Sequence, residues 1–360
     1  MIQVVECFAY GTAKSVKQLS DFLKADFDVE VFYCDRDGTE EELKNIDSDI
    51  KWTALRSTGP LRHINNIRQI RSKIDDQCQA VHGHSSYGGM YARLASLGKP
   101  VPNVFFSPRG YAFLREDMFW AKRAVFLFTE FVLSFFGTTV SCGPSEYKTG
   151  GQFSRRIVNV NNSVVVQDGC DIDDSGDFTV LSIGRIAPQK GFDLFLKVAS
   201  RLPETRFTWV GSCDDDYYDK ILETMHGLPR NVEVIGYMDQ HQLFNKMREQ
   251  TIIMHTSRWE GLSRVLLEAL ALGKPLVTST FAANLDCLQP APKPVEKGRY
   301  ANGFACTSVD QYVSAIRKMK ADKTTLAAMA QASYALARNE FDVSVIRQQW
   351  LDLYKRSRSA

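Results

Sequence analysis

The sequence predicts an α/β protein made of two Rossmann-like, doubly wound domains facing a central cleft. Short β-rich runs alternate with longer helical patterns from end to end, as in mostly parallel sheets covered by helices on both faces. At 360 residues the chain is long enough for two domains, each with its own core. The alternation relaxes once near the middle and then starts again.

The first strand is predicted at 3–8, since the opening residues are too few and too uncharged for a signal peptide. A helix around 13–23 and a strand at 29–33 follow. Leu61, Ile64, Ile67, Ile70 and Ile74 recur at spacings of three and four, marking one helix face. Arg62, Arg68, Arg71 and Lys73 decorate that helix, as a solvated face or as a surface for anionic lipid. A strand at 80–84, a helix at 89–97 and a strand at 103–107 continue the series. The most apolar stretch, 124–140, contains Glu130, follows Lys122 and Arg123, and is short for a bilayer span. It is expected as a buried helix or as one that partly faces a membrane.

Turn-forming and acidic residues dominate 159–163 and 168–177. A linker is therefore placed at 166–177, between domains at 1–165 and 178–338, with a terminal segment at 339–360. Strands in the second series are predicted at 178–183, 206–210, 232–235, 252–255 and 275–279. Helices are predicted at 192–201, 217–226 and 240–249, with closing helices at 309–319, 324–339 and 343–356.

The net charge of +2, with 44% hydrophobic and 24% charged residues, fits a soluble globular protein and excludes a nucleic-acid binder or a disordered tail. Eight cysteines without a Cys-x-x-Cys pair are expected as buried free thiols of a reducing cytosol rather than disulfides or zinc ligands.

Chemistry concentrates in two places. Glu260 sits on a turn ahead of Gly261, and Glu268 lies eight positions on among Val265, Leu266, Leu267, Ala269, Leu270 and Leu272. A carboxylate in such a run is costly to bury without a partner. The turn feeds a helix N-terminus, whose free N–H groups suit an anion. A phosphate cradle beside a hydroxyl-accepting carboxylate fits a nucleotide sugar. The second place is 182–191, where Gly184 and Gly191 permit tight turns while Arg185 and Lys190 offer cations to phosphate. The two carboxylates could also be a glycosidase pair, but two cations in one loop fit a diphosphate leaving group better.

Gly184–Arg185 with Lys190–Gly191, the stretches 207–211 and 231–238, and Glu260–Gly261 with Glu268–Ala269 and 273–275 resemble the retaining glycosyltransferases of family 4 (glycosyl transferases group 1), which have the GT-B fold. The resemblance covers nearly the whole chain. Residues 167–171 resemble that family's linker, 302–304 its closing loop, and 339–360 the helix that crosses back to the N-terminal domain. The stretches 81–86, 107–115 and 140–146 resemble members that build bacterial surface polysaccharides such as O-antigen, capsule or exopolysaccharide.

The resemblance implies an acceptor-binding N-terminal domain and a nucleotide-sugar-binding C-terminal domain. The implied reaction is hexosyl transfer with retention of configuration. The implied donor is a UDP-sugar, with a GDP-sugar as the alternative, and the acceptor a polyprenyl-linked glycan met at the inner face of the plasma membrane. Arg185 and Lys190 would hold the diphosphate and neutralise the leaving group, and Glu260 would bind hydroxyls of the transferred sugar. Gly184, Gly261, Leu262 and Ser263 would line the phosphates, Glu268 would accept from the ribose, and Gly236, Tyr237 and Met238 would flank the base. Catalysis would then be positioning and charge stabilisation.

On the acceptor or cleft side the expected residues are Gly11, His84, Arg109 and Gly110. Arg109–Gly110 stands where many members have His-Gly, so Arg109 is expected to contact an anionic group or to pair structurally with Glu116 or Asp117. Residues 8–12 offer only Gly11 where a glycine pair is common, and 281–286 lacks another such pair, so no donor contact is assigned there. Of His82 and His84, one is expected to pack and the other to face the cleft. Asp171 with Asp173 and Asp214–Asp216 are expected as turn residues, and neither an obligatory metal nor another cofactor is expected. A sugar-nucleotide epimerase and a non-catalytic nucleotide-sugar-binding protein remain the alternatives.

Overall fold

The computed structural model describes the chain except for residues 37, 45, 168, 170–175, 292–295 and 357–360. Two compact units form, one from Met1–Asn162 with the residues from Ser344 on, the other from Ser163–Val343. The division at Asn162 and Ser163 falls ahead of the expected 166–177 linker. Of that linker, Asp168 and residues 170–175, with Cys170, Asp171 and Asp173, lie outside the described residues.

In the first unit, β1 (Ile2–Val5), β2 (Glu30–Cys34), β3 (Lys51–Leu55), β4 (Ala80–His84), β5 (Asn103–Ser107), β6 (Thr138–Ser141) and β7 (Ile157–Asn159) form one sheet. Its order is β3-β2-β1-β4-β5-β6-β7 and every pair is parallel. Strand order reverses between β1 and β4, where open α/β sheets bind ligands at the strand C-termini. The core joins Val4, Phe32, Ile70, Val81, Tyr91 and Ala95. The last helix, Val343–Arg356, belongs to this unit from Ser344, and its Tyr354 ring packs edge-on against Phe105.

The Trp120–Leu133 helix corrects the expectation of a buried helix, because only one face is covered. Phe126 meets Tyr87 edge-on, Leu133 is buried, and Glu130 pairs with Arg93 at 2.8 Å, the two side chains 4% and 2% exposed. Arg93 also lies 4.0 Å over the Phe106 ring. Burial raises the Glu130 carboxyl despite this partner. Val125, Phe128, Phe131 and Val132 on the other side are exposed.

The second unit repeats the plan with β8 (Thr179–Ile183), β9 (Arg206–Val210), β10 (Val232–Ile235), β11 (Ile252–His255), β12 (Leu276–Ser279), β13 (Arg299–Tyr300) and β14 (Gly303–Cys306). The order is β10-β9-β8-β11-β12-β14-β13, and only the β13–β14 pair is antiparallel. Trp209, Phe192, Phe195 and Phe207 stack edge-to-face at its core, with Leu196, Met254 and Ile316 around them. The expected closing loop at 302–304 instead leads into β14, which pairs with β12. Only glycine fits at Gly303, where a Cβ would lie 1.9 Å from the Leu276 carbonyl oxygen.

Candidate functional site

Strand order in the second unit reverses between β8 and β11, and the two loops leaving their C-termini are tied together. The 184–191 loop leaves β8. Gly184 N donates to Val210 O at 2.9 Å, and its own carbonyl accepts from Trp209 Nε1 at 2.8 Å. Pro188–Lys190 form one turn of 3-10 helix, and Gly191 follows with φ of 69°. A Cβ at Gly191 would lie 2.4 Å from the Thr256 carbonyl oxygen, so glycine permits the left-handed turn and the close approach of the β11 loop.

The 256–263 loop then binds the first loop at several points. Thr256 Oγ1 donates to Lys190 O at 2.7 Å, and Gln189 Nε2 donates to Trp259 O at 2.8 Å. Arg258 grips both Asp193 carboxylate oxygens at 2.8 Å. This lacing fixes the Lys190 ammonium against Glu260 Oε1. The same oxygen accepts from Ser257 Oγ at 2.9 Å and lies 3.8 Å from His255 Nε2. Burial alone would raise the Glu260 carboxyl, but the charge of Lys190, with His255 and hydrogen bonds from Lys190 and Ser257, holds it below the ordinary range. Burial and the Lys190 charge lower His255 to about 4, so its ring is neutral near pH 7.

Arg185 is exposed beyond the end of β8. Gly261, Leu262 and Ser263 lead into the Arg264–Ala271 helix, with Ser263 at its N-cap making no side-chain cap bond. Glu268 lies within that helix at 3% exposure, and its Oε1 has no hydrogen-bond partner. An uncompensated carboxylate oxygen in a buried position is costly, and it fits a group that completes its contacts with a ligand. Gly236, Tyr237 and Met238 follow β10, two strands from β8 at the same end of the sheet, and Tyr237 is exposed. The expected C-domain residues thus lie in loops and a helix that follow the C-terminal ends of β8, β10 and β11.

Sequence reasoning missed the supports of Glu260. His255 and Ser257 flank the end of β11, Ser279 Oγ donates to Ser257 O at 2.6 Å, and Asn284 Nδ2 donates to Ser279 Oγ at 2.8 Å. The available signal was a run of polar residues, His255–Thr256–Ser257, ending an apolar strand. Asn284 lies in the stretch to which no contact was assigned, and it is fully buried with Oδ1 unpartnered.

In the first unit, His84 ends β4, while Gly11 follows the neighbouring β1 and Arg109 and Gly110 follow the neighbouring β5. Gly11 lies exposed in the first turn of the Tyr10–Leu23 helix, where its carbonyl accepts from Ser15 Oγ at 3.0 Å. The expected division of labour between the histidines is corrected, since both rings are fully buried and their centroids lie 4.1 Å apart. His82 bonds Tyr354 Oη at 2.6 Å and Ser107 Oγ at 2.9 Å. His84 Nε2 meets Gln3 Oε1 at 3.0 Å, so Nε2 carries the hydrogen and Nδ1 is left as a buried acceptor without a partner. Burial, with His82 and Arg109 nearby, keeps His84 neutral.

Arg109 does not pair with Glu116 or Asp117. Asp117 is bound by Arg115, whereas Arg109 donates to Asn162 Oδ1. Its φ is 57°, and its Nε is buried without a partner. Gly110 N donates to Glu146 Oε1 at 2.6 Å. Among the described residues no three His, Cys, Asp or Glu side chains gather as metal ligands. Among the described residues Cys34, Cys78, Cys142, Cys287 and Cys306 are buried as expected, whereas Cys7 is half-buried and Cys213 exposed.

Residues 172–336, most of the second unit, match the family model described as glycosyl transferases group 1. The second unit is thus similar to the group 1 glycosyltransferases. Among curated relatives, an uncharacterized 41.2 kDa protein in the cps region of Klebsiella pneumoniae is 24% identical over 223 residues, 56% of this chain and 60% of that protein. The UDP-Gal:alpha-D-GlcNAc-diphosphoundecaprenol alpha-1,3-galactosyltransferase of Escherichia coli is 23% identical over 298 residues, 73% of each chain. HepE of Anabaena, solved in complex with UDP and glucose, is 17% identical, covers 99% of both chains and has a TM-score of 0.81. The fold is therefore the two-domain α/β arrangement of GT-B structures.

Proposed function

We propose that this protein is a retaining hexosyltransferase that moves a sugar from a UDP-sugar onto a polyprenyl-linked glycan in surface-polysaccharide synthesis. The observation that carries the reading is Lys190 locked to Glu260 at the strand-order reversal, with Arg185 exposed beside it and Glu268 buried with an unpartnered oxygen. Lys190 and Arg185 supply the charge that a departing diphosphate needs, worth far more in a water-poor site than in bulk solvent. Glu268 accepts hydrogen bonds from the ribose.

Glu260 has a double role in this scheme. Its Oε1 fixes Lys190, and Oε2 is assigned to a hydroxyl of the transferred sugar. No protein nucleophile is required, because the acceptor hydroxyl attacks the face the diphosphate leaves. The relative acting on an undecaprenol-linked sugar and the relative from a cps region support the choice of acceptor class.

A thermal-shift panel of UDP, GDP and ADP with their sugars tests the reading, since ligand bound to the native state raises its stability. UDP and a UDP-sugar should raise the melting temperature, and Glu268→Ala should shrink the rise. An unchanged shift in Glu268→Ala would refute the ribose assignment. Donor turnover without any acceptor would transfer the protein to the epimerase reading.

A further inference from the structure

Glu146 lies in the first turn of the Pro144–Gly150 helix, where an acid ordinarily serves its own helix end. One oxygen does so, since Oε2 accepts from Cys142 N at 2.7 Å. The other crosses to the loop after β5, where Oε1 accepts from Gly110 N at 2.6 Å. The side chain is buried. Burial raises its carboxyl, the two amides oppose this, and the Arg109 charge adds less than either. Glu146 is thus spent on main chain, near a guanidinium it does not pair with.

The main chain it holds is strained. Arg109 and Gly110 have φ of 57° and 98°, and left-handed backbone at an arginine persists only where the surroundings enforce it. The N–H bound by Glu146 belongs to the peptide that joins these two residues. Asn162 fixes the far end of the arginine: its Oδ1 accepts from Nη1, and its N donates to Cys142 O at 2.9 Å. Hydrogen bonds thereby close a ring through the loops after β5, β6 and β7. The cation in it has no counter-ion. Among the described residues Arg109 bonds the neutral Asn162, its Nε is buried with no partner, and no carboxylate pairs with it. His82 and His84 nearby are neutral as well, depressed by burial with the Arg109 charge adding to it. A cation so placed is costly unless a ligand supplies the negative charge.

We propose that Glu146 is a positioning residue for the transfer reaction, fixing the Arg109–Gly110 peptide so that the guanidinium stays unpaired for a phosphate oxygen of a substrate. The inference rests on the proposed function, in which donor and acceptor each carry a diphosphate. A Glu146 turned toward Arg109 would cancel that charge, and its bonds to two amides prevent this. Glu146 itself touches no substrate.

Calorimetric titrations test the role, with UDP and with inorganic pyrophosphate added to UDP-saturated protein. In Arg109→Met one of the two affinities should fall about tenfold or more, the loss of a hydrogen bond to a charged group. A fall for UDP identifies a donor phosphate, and a fall for pyrophosphate an acceptor phosphate. Glu146→Gln, which offers one acceptor oxygen to two amides, should lower the same affinity. Glu146→Asp, which keeps both oxygens, should recover part of it. The double variant should bind no more weakly than Arg109→Met, because the two residues act in series. Asn162→Asp separates positioning from packing. It keeps the acceptor for Nη1 and adds the missing counter-ion, so it should melt no lower than wild type yet bind as weakly as Glu146→Gln. Neither affinity falling in Arg109→Met, wild-type binding by a folded Glu146→Gln, losses that multiply in the double variant, or wild-type binding by Asn162→Asp would overturn the proposal. Transfer kinetics keep the two readings apart. Titration effects in a protein that transfers no sugar sink the transferase reading alone, and transfer with unaltered kcat/KM in Glu146→Gln sinks the positioning role alone.

Discussion

Replacing Lys190 with alanine removes the cation that the β8 and β11 loops are built to hold against Glu260. The Lys190 and Glu260 side chains are 20% and 12% exposed, between a buried and a surface pair. Stranding one partner of a fully buried pair costs about 3–5 kcal/mol and breaking a surface pair less than about 1, so a loss of about 2 kcal/mol is expected. Without Lys190, Glu260 retains Ser257 Oγ, and His255 loses the charge that helps depress it. Both groups then titrate upward, and a protonated His255 can pair with Glu260. Urea unfolding at pH 7.5 and pH 5.5 reads this directly. The variant should recover part of its loss at the lower pH, whereas wild type loses stability there. Transfer should fall by about 10²–10³, the usual cost of one oriented donor to a developing charge. Lys190→Met/Glu260→Gln should restore stability to within about 1 kcal/mol without restoring transfer. A Lys190→Ala protein with wild-type stability and undiminished transfer would refute the reasoning.

Glu268→Ala should leave the ligand-free protein as stable as wild type or more so, because Oε1 is buried without a partner. Its UDP affinity should fall about tenfold or more, the equivalent of a hydrogen bond to a charged group, measured by titration calorimetry. Wild-type stability should decline from about pH 6.5 toward pH 4. His255 has a folded value near 4, so as pH falls the unfolded chain takes up its proton first, and about 3 kcal/mol is lost over the window. His82 and His84, also depressed by burial, act in the same direction. Urea unfolding across that range should show the decline, His255→Gln should flatten part of it, and a flat wild-type curve would contradict the neutral assignment. Arg93→Met should cost about 3–5 kcal/mol by stranding Glu130, and Arg93→Met/Glu130→Met should recover most of it in thermal melts.

The alternation of strand and helix was legible because buried strands such as β1 and β11 are mostly apolar. Most missed strands lack that signature, while β6 was hidden because residues 138–140 end the apolar run at 124–140 expected as one helix, which in fact stops at Leu133. β3 is half-exposed and carries Lys51 and Thr53, while β7 and β13 span only three and two residues. β14 was hidden by Gly303, whose role depends on the carbonyl of Leu276 in the adjacent strand. The outward face of the Trp120–Leu133 helix could not be deduced either, because apolar composition does not say which side has a neighbour. At the site, Glu268 stood out as a charge in an apolar run. The contact between Lys190 and Glu260 joins residues 70 apart and needs the strand order to exist. Sequence therefore identified the participants, and only topology revealed that Glu260 holds Lys190.

The most direct measurement is calorimetric titration of UDP and of uridine against wild type and Lys190→Ala. If the β8 and β11 loops hold a donor diphosphate, UDP should bind wild type far more tightly than uridine does. Lys190→Ala should remove much of that difference while leaving uridine affinity unchanged. Equal affinities for UDP and uridine in wild type, or a difference that survives in Lys190→Ala, would contradict the assignment of this site to the diphosphate.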